Sequence, residues 1–255
     1  MDTREILKKF KDNQLSLEEA EQLLKVDAVE KVGQLAVIDI NREVRKGVAE
    51  IIFAEGKTTA DLIEIIKVLD KKRRDIIVSR LNSEQINAIK DNFPEEKIRF
   101  NYRAKMATII NNKSDRGGKL PVVGIVTAGT SDINVAEESK VILEYMNCRV
   151  LTSYDVGVAG IHRLFPFLKK VIEENAVCLI VVAGMEGALA SIVAGLIDIP
   201  VIGVPTSTGY GEGGKGRAAL YSMLQSCSTG LTVVNIDNGV SAGISAGLIA
   251  KRVIK

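Results

Sequence analysis

The chain contains no tryptophan and a single histidine, His162. One histidine excludes a multi-histidine metal centre built within one chain. The three cysteines, Cys148, Cys178 and Cys227, are too widely spaced for C-x-x-C, so neither a zinc site nor a redox dithiol is expected. No run of roughly 18 apolar residues occurs, which argues against a membrane span. The opening "MDTREILKKFKDNQ" has no apolar signal core, which predicts a cytoplasmic protein. In that compartment an odd number of cysteines implies reduced thiols. A basic excess is missing too. With 34 Lys/Arg against 32 Asp/Glu, the formal charge is only +2, which argues against nucleic-acid binding.

What is present is apolar substance, divided in two. The 255 residues are 46% hydrophobic but only 4% aromatic, so Val, Ile, Leu and Ala must fill the core. Residues 1–119 hold 24 Lys/Arg and 21 Asp/Glu, whereas the longer stretch 120–255 holds 10 and 11. The change falls at "NNKSDRGGKLP", a polar linker with paired glycines and a closing proline. Two domains are expected, 1–115 and 116–255.

The first reads as a small mixed α/β domain. "LSLEEAEQLLK" places Ser16 and Glu19 at capping-box spacing, with Leu17, Ala20, Leu23 and Leu24 on one helix face. "QLAVIDI", "EIIFAEG", "DIIVSRL" and "KIRFNY" read as strands. Helices follow Thr58 or Thr59, and Ser83. The second domain is more regular. "PVVGIVTAG", "RVLTSYDVG", "AVCLIVVAG", "IPVIGVPT" and "LTVVNIDNG" are apolar throughout rather than alternating, as strands buried on both faces should be. Helical segments separate them, among them "INVAEESKVILEYM", "IHRLFPFLKKVIEEN", "EGALASIVAGLI" and "GRAALYSMLQSC", and "SAGISAGLIAKRVI" closes the chain. Five β-α units predict a three-layer, flavodoxin-like parallel sheet with helices on both faces.

Ligands of such folds bind outside the carboxyl ends of the strands. That rule selects five loops: Gly129–Asp132, Asp155–Arg163, Gly184–Gly187, Thr206–Gly216 and Asn235–Gly239. "GYGEGGKG" in the fourth imitates a phosphate loop, with Gly209, Gly214 and Lys215 at the right spacing. Gly216, however, stands where serine or threonine must hold magnesium, and the motif follows the fourth strand rather than the first. A flexible loop closing over an anionic ligand fits better, with Lys215 or Arg217 meeting the anion. His162 and Arg163 are expected at a helix start, where backbone N–H groups favour anions.

At these loops the chain resembles a known family. "AGTSDINVAEES", "GIHRL", "VVAGMEGALASIVAG" and "IPVIGVPTS" look like the phosphoribosylaminoimidazole carboxylase/mutase fold of purine synthesis. By that resemblance Ser131, Asp132 and His162 match its first-loop Ser/Asp and its histidine after the second strand. Unlike the purine enzyme, this chain has a charged N-terminal domain, Glu186 in "GMEGA" and Cys227 before the last strand. "SMLQSC" with "VVNIDNG", together with "REVRKGVAEIIFAEGKT" upstream, resembles more closely the LarB family, the pyridinium-3,5-biscarboxylic acid mononucleotide synthases of nickel-pincer cofactor synthesis. The likeness runs from Leu15 onward; Ala49 stands where that family's proline is expected.

The resemblance implies carboxylation of the pyridinium ring of nicotinic acid adenine dinucleotide by carbon dioxide. Hydrolysis of the phosphoanhydride then releases AMP. Cys227 is the implied nucleophile, placed by its position in the last βα unit near the carboxyl edge of the sheet. Glu186 or Asp132 is the implied proton acceptor. Glu186 is favoured because it distinguishes this chain from the purine enzyme. Cys148 and Cys178 are expected to be structural. Arg42, Arg45 and Lys57 are candidate phosphate contacts, and Thr130, Ser131, His162, Gly187 and Lys215 candidate substrate contacts. Magnesium is expected from the phosphoanhydride step, with no metal ligands assigned and no organic cofactor. Glycine- and alanine-rich helices and resemblance to both families imply a homo-octamer. The competing function is a carboxylase or mutase acting on an aminoimidazole ribonucleotide.

Overall fold

The computed structural model describes residues 3–26, 29–32, 36–39, 47–111 and 120–253. The chain forms two compact units, Met1–Arg99 with Ala107–Ser114, and Phe100–Met106 with Asp115–Lys255.

In the N-terminal unit, helices α1 (Thr3–Lys11) and α2 (Leu17–Val26) lead into an antiparallel pair, β1 (Val29–Val32) and β2 (Ala36–Asp39). The capping box forms as expected before α2: Glu19 N donates to Ser16 Oγ, and Ser16 N donates back to Glu19 Oε2. Of its expected apolar face, Ala20 is buried and Leu17 is exposed. A mixed sheet follows in the order β3 (Ile51–Phe53), β4 (Ile76–Ser79), β6 (Met106–Ile109), β5 (Ile98–Asn101). Helices α3 (Thr59–Lys71) and α4 (Ser83–Asn92) start at the caps Thr58 and Asn82. Buried Gln85 donates through Nε2 to the carbonyls of Ala54 and Lys57, so the loop after β3 is held by a side chain rather than by a ladder.

The C-terminal unit carries the five-stranded parallel sheet, ordered β11 (Leu231–Val233), β10 (Val201–Pro205), β9 (Cys178–Ala183), β7 (Val122–Thr127), β8 (Arg149–Ser153). This is flavodoxin-like order. Every residue of β7, β9 and β10 is buried, because helices cover both faces. The covering helices are α5 (Ile133–Tyr145), α6 (Phe165–Glu173), α7 (Ala188–Ala194), α8 (Arg217–Leu224) and α9 (Gly239–Val253). Gly239, Ala242, Gly243, Ala246, Gly247 and Ala250 make one buried stripe along α9, and its glycines meet α5. Ser139 Oγ of α5 donates to Gly239 O at 2.7 Å, fixing the register of the two helices.

One helix starts later than its pattern implies. His162 and Arg163 close a 3-10 turn, Val158–Arg163, which is interrupted at Gly160 (φ −148°, ψ 52°). The α-helix begins only at Phe165, with proline in its first turn, where a missing N–H costs nothing. Among the described residues no helix is long and apolar enough to cross a membrane.

Candidate functional site

Strand order in the C-terminal sheet reverses between β7 and β9, and the loops leaving their carboxyl ends part there. The resulting cleft encloses about 290 Å³. Its polar lining comes from Ser131 and Asp132 after β7, Asp155 and Arg163 after β8, Glu186 after β9 and Thr208 after β10. Four of the five selected loops therefore line one cavity. The fifth, Asn235–Gly239, acts from behind: Asp237 Oδ1 accepts from Ser207 N at 2.8 Å and braces the fourth loop.

Asp132 is the most constrained group. Its side chain is buried; Oδ2 accepts from Gly129 N at 2.9 Å and Oδ1 accepts from Thr206 Oγ1 at 2.7 Å. Burial nevertheless pushes its pKa above the ordinary carboxylate value. The hydrogen bonds from Thr206, Gly129 and Gly184 offset this only in part, and Asp237 adds to the rise. A carboxyl held in this way is prepared to carry a proton.

At the rim, Arg163 Nη1 donates to Asp155 Oδ2 at 2.9 Å and Nε donates to Gly160 O at 3.3 Å. Asp155 has a left-handed backbone (φ 60°), and its N–H donates to Thr127 Oγ1. Arg163 is the one cationic side chain among the described lining residues, against the carboxyls of Asp132, Asp155 and Glu186. Close backbone packing sets the opposite wall. A Cβ on Gly184 would lie 2.4 Å from Thr208 O, the atom that accepts from Met185 N at 3.0 Å. Only glycine permits that approach.

Comparison with known proteins decides the family. Residues 29–112 match the LarB/PurE-like N-terminal domain, and residues 122–254 match AIR carboxylase. The chain belongs to the LarB family. An uncharacterised protein of Methanocaldococcus jannaschii is 47% identical over 97% of this chain and 96% of its own length. The N5-carboxyaminoimidazole ribonucleotide mutases of Thermotoga maritima and Pyrococcus horikoshii are 30% and 32% identical. They cover 51% and 54% of this chain and 75% of each mutase. This LarB-family chain is thus an enzyme of carboxylase/mutase type.

The cleft brings together Asp132, Glu186 and Ser131 of the expected site residues. Thr130 lies in the adjoining 3-10 turn with its side chain outside the lining. Gly187, at φ 65°, forms the N-cap of α7; a Cβ there would lie 2.9 Å from Ala219 Cα. His162 and Lys215 are exposed and outside the lining. In the N-terminal unit, Lys57 Nζ donates to Phe53 O, while Arg42 and Arg45 lie outside the described residues.

Cys227 is placed differently from expectation. It is exposed, in the turn between α8 and β11. Because β11 runs parallel to β10, a turn that precedes β11 lies at the amino edge of the sheet, opposite the cleft. Neighbouring Ser228 donates through Oγ to Ser191 O near the end of α7, which confirms the edge. Cys148 and Cys178 are buried, and burial pushes their thiols up to about 11 and about 12, as structural cysteines should behave.

Asp155, Arg163, Thr206 and Thr208 carry more of the site than the sequence assigned to them. Their signal was position alone, on the selected loops. Nothing in the sequence reveals the Asp155–Arg163 pair or the Thr206–Asp132 bond, both of which depend on how different loops meet.

Proposed function

We propose that this enzyme carboxylates the pyridinium ring of nicotinic acid adenine dinucleotide with carbon dioxide, then hydrolyses the phosphoanhydride and releases AMP. The observation that carries this reading is the cleft: three carboxyls around one paired arginine, in a chain that joins a LarB/PurE-like N-terminal domain to an AIR carboxylase domain. Such a lining suits a positively charged ring, with Arg163 left for its anionic substituent.

A pyridinium ring is too electron-poor to attack carbon dioxide. The Cys227 thiolate first adds to the ring carbon beside the target, giving an enamine whose target carbon is nucleophilic. That carbon bonds to carbon dioxide. Glu186 takes the proton from it, and Asp132 is the second candidate acceptor. The C–S electron pair then returns to sulfur, which restores the aromatic ring and frees the cysteine. In sum, a ring C–H and carbon dioxide become a ring carboxylate and a proton. Backbone N–H groups of the glycine-rich turns at Gly129 and Gly184 are suited to orient the small neutral gas molecule.

Since sulfur and cleft lie at opposite edges of one sheet, Cys227 serves the cleft of a neighbouring copy in a homo-oligomer. An octamer is the assembly both family resemblances imply. Among the described residues no three His, Cys, Asp or Glu side chains converge on a possible metal position. Magnesium belongs to the phosphoanhydride step, where the substrate's own phosphates would supply part of its ligands. Arg42, Arg45 and Lys57 are the proposed phosphate contacts.

A second reading, mutase action on an aminoimidazole ribonucleotide, is favoured by the two mutase relatives. One assay separates the two. The enzyme is incubated with nicotinic acid adenine dinucleotide, labelled bicarbonate and magnesium, and label in a pyridinium product and AMP are followed. Both are expected, and both should disappear in Cys227→Ala. No label and no AMP from the parent would sink the reading.

A further inference from the structure

The cleft lacks one thing that a flat heteroaromatic ring ordinarily meets. Its lining contains Ala, Gly, Val158, Met185 and Leu189 among apolar residues, but no aromatic side chain. An aromatic residue does stand at its rim. Tyr210 follows Thr208 and Gly209, which cross directly over Gly184 and Met185: Met185 N donates to Thr208 O, and a Cβ on Gly209 would lie 3.4 Å from Met185 Sδ. Yet Tyr210 is 83% exposed, far more than a tyrosine would be if it served the core. Its two neighbours are glycines with positive φ, Gly209 at 143° and Gly211 at 77°, and a Cβ on Gly211 would meet nothing within 4 Å. The turn beyond Tyr210 is open at Gly211, while Gly209 stays packed on Met185 and anchors the residue to the cleft.

We infer that Tyr210 is the aromatic cover of the cleft, and that its ring closes onto the flat, positively charged heteroaromatic ring of the substrate. The inference rests on the pyridinium reading proposed above. A cation over a tyrosine face within about 6 Å is attracted by the ring quadrupole, and stacking also removes apolar surface from water. Glu186 and Asp155 below and Tyr210 above then select a cationic ring over a neutral one. The glycine-rich "GYGEGGKG" acquires a purpose: the glycines beside Tyr210 give its side chain room to swing.

The test is ligand binding, so it does not depend on turnover. Nicotinic acid mononucleotide is titrated by calorimetry into the parent, Tyr210→Phe and Tyr210→Ala. Tyrosine emission is read in parallel; the chain's five tyrosines report without interference, because there is no tryptophan. The parent and Tyr210→Phe should bind alike, and Tyr210→Ala about 5- to 30-fold more weakly. Ligand-induced loss of emission should shrink in both variants. Equal binding by Tyr210→Ala overturns the cover and leaves the pyridinium reading standing. A parent that ignores the pyridinium mononucleotide, whether or not it binds an aminoimidazole ribonucleotide, overturns both. Folding is not in question at a side chain this exposed.

Discussion

Asp132 shows how a buried carboxyl ties stability to chemistry. Folding raises its pKa above the ordinary value of 3.8, so the folded state holds this proton more tightly than the unfolded state. Its contribution to stability is therefore full below that value and is lost as pH rises through the folded pKa. Asp132→Asn removes the titration. Urea unfolding at about pH 4 and pH 7 should show the parent losing more stability over that interval than the variant. Thr206, with the backbone of Gly129 and Gly184, lets the fold tolerate the buried group. Its hydroxyl donates to Oδ1, and an unsatisfied carboxyl there would cost about 1–3 kcal/mol or more. The sequence exposed Asp132 as a candidate through "TSD" at a strand end. It could not expose the raised pKa, which comes from burial in the folded chain, nor the partly offsetting bond from Thr206, 74 residues away.

The contact between α9 and α5 is governed by the glycine positions. A Cβ on Gly239 would lie 2.1 Å from the backbone carbonyl of Val135, which cannot move without displacing the helix. A Cβ on Gly247 would meet Met146 at 2.4 Å, but there it touches Sδ, the end of a flexible side chain. Gly239→Ala should destabilise by about 2–4 kcal/mol, whereas Gly247→Ala should cost under about 1 kcal/mol, both measured as shifts in unfolding midpoint. The expected elements of the C-terminal unit were legible because β7, β9 and β10 are buried on both faces, which forces unbroken apolar runs. The N-terminal unit was legible only in part. β1, "VEKV", carries two charges in four residues, and β6, "MATI", follows directly on the charged turn "RAK", so neither stands out as a strand, although β2, β4 and β5 are no longer than these. The delayed start of α6 is not legible in the sequence because Gly160 breaks the turn while the apolar spacing continues past it.

At the scale of the whole molecule, the direction of the strands is what matters. "SMLQSC" was recognisable as a motif, but the edge of the sheet on which it lies follows from whether it precedes or follows its strand, and it precedes β11. If Cys227 of one copy serves the cleft of another, defects in the two can complement. Cys227→Ala and Glu186→Gln proteins, each inactive alone, should regain about one quarter of parental activity when equal amounts are unfolded and refolded together. A mixture as inactive as its components would show that thiol and cleft belong to the same chain. Exposed Tyr221, Leu224 and Leu196 are apolar residues that such an assembly would cover.

Separation of sulfur and cleft also has a consequence for the cell. On the proposed reading, a lone, newly made subunit would hold the attacking thiol and the ring's cleft where they cannot meet. Abundant pyridine nucleotides could enter its cleft without being attacked. Activity would then switch on with the number of copies present, so that gene dosage and dilution, rather than an effector, would govern when the ring is modified.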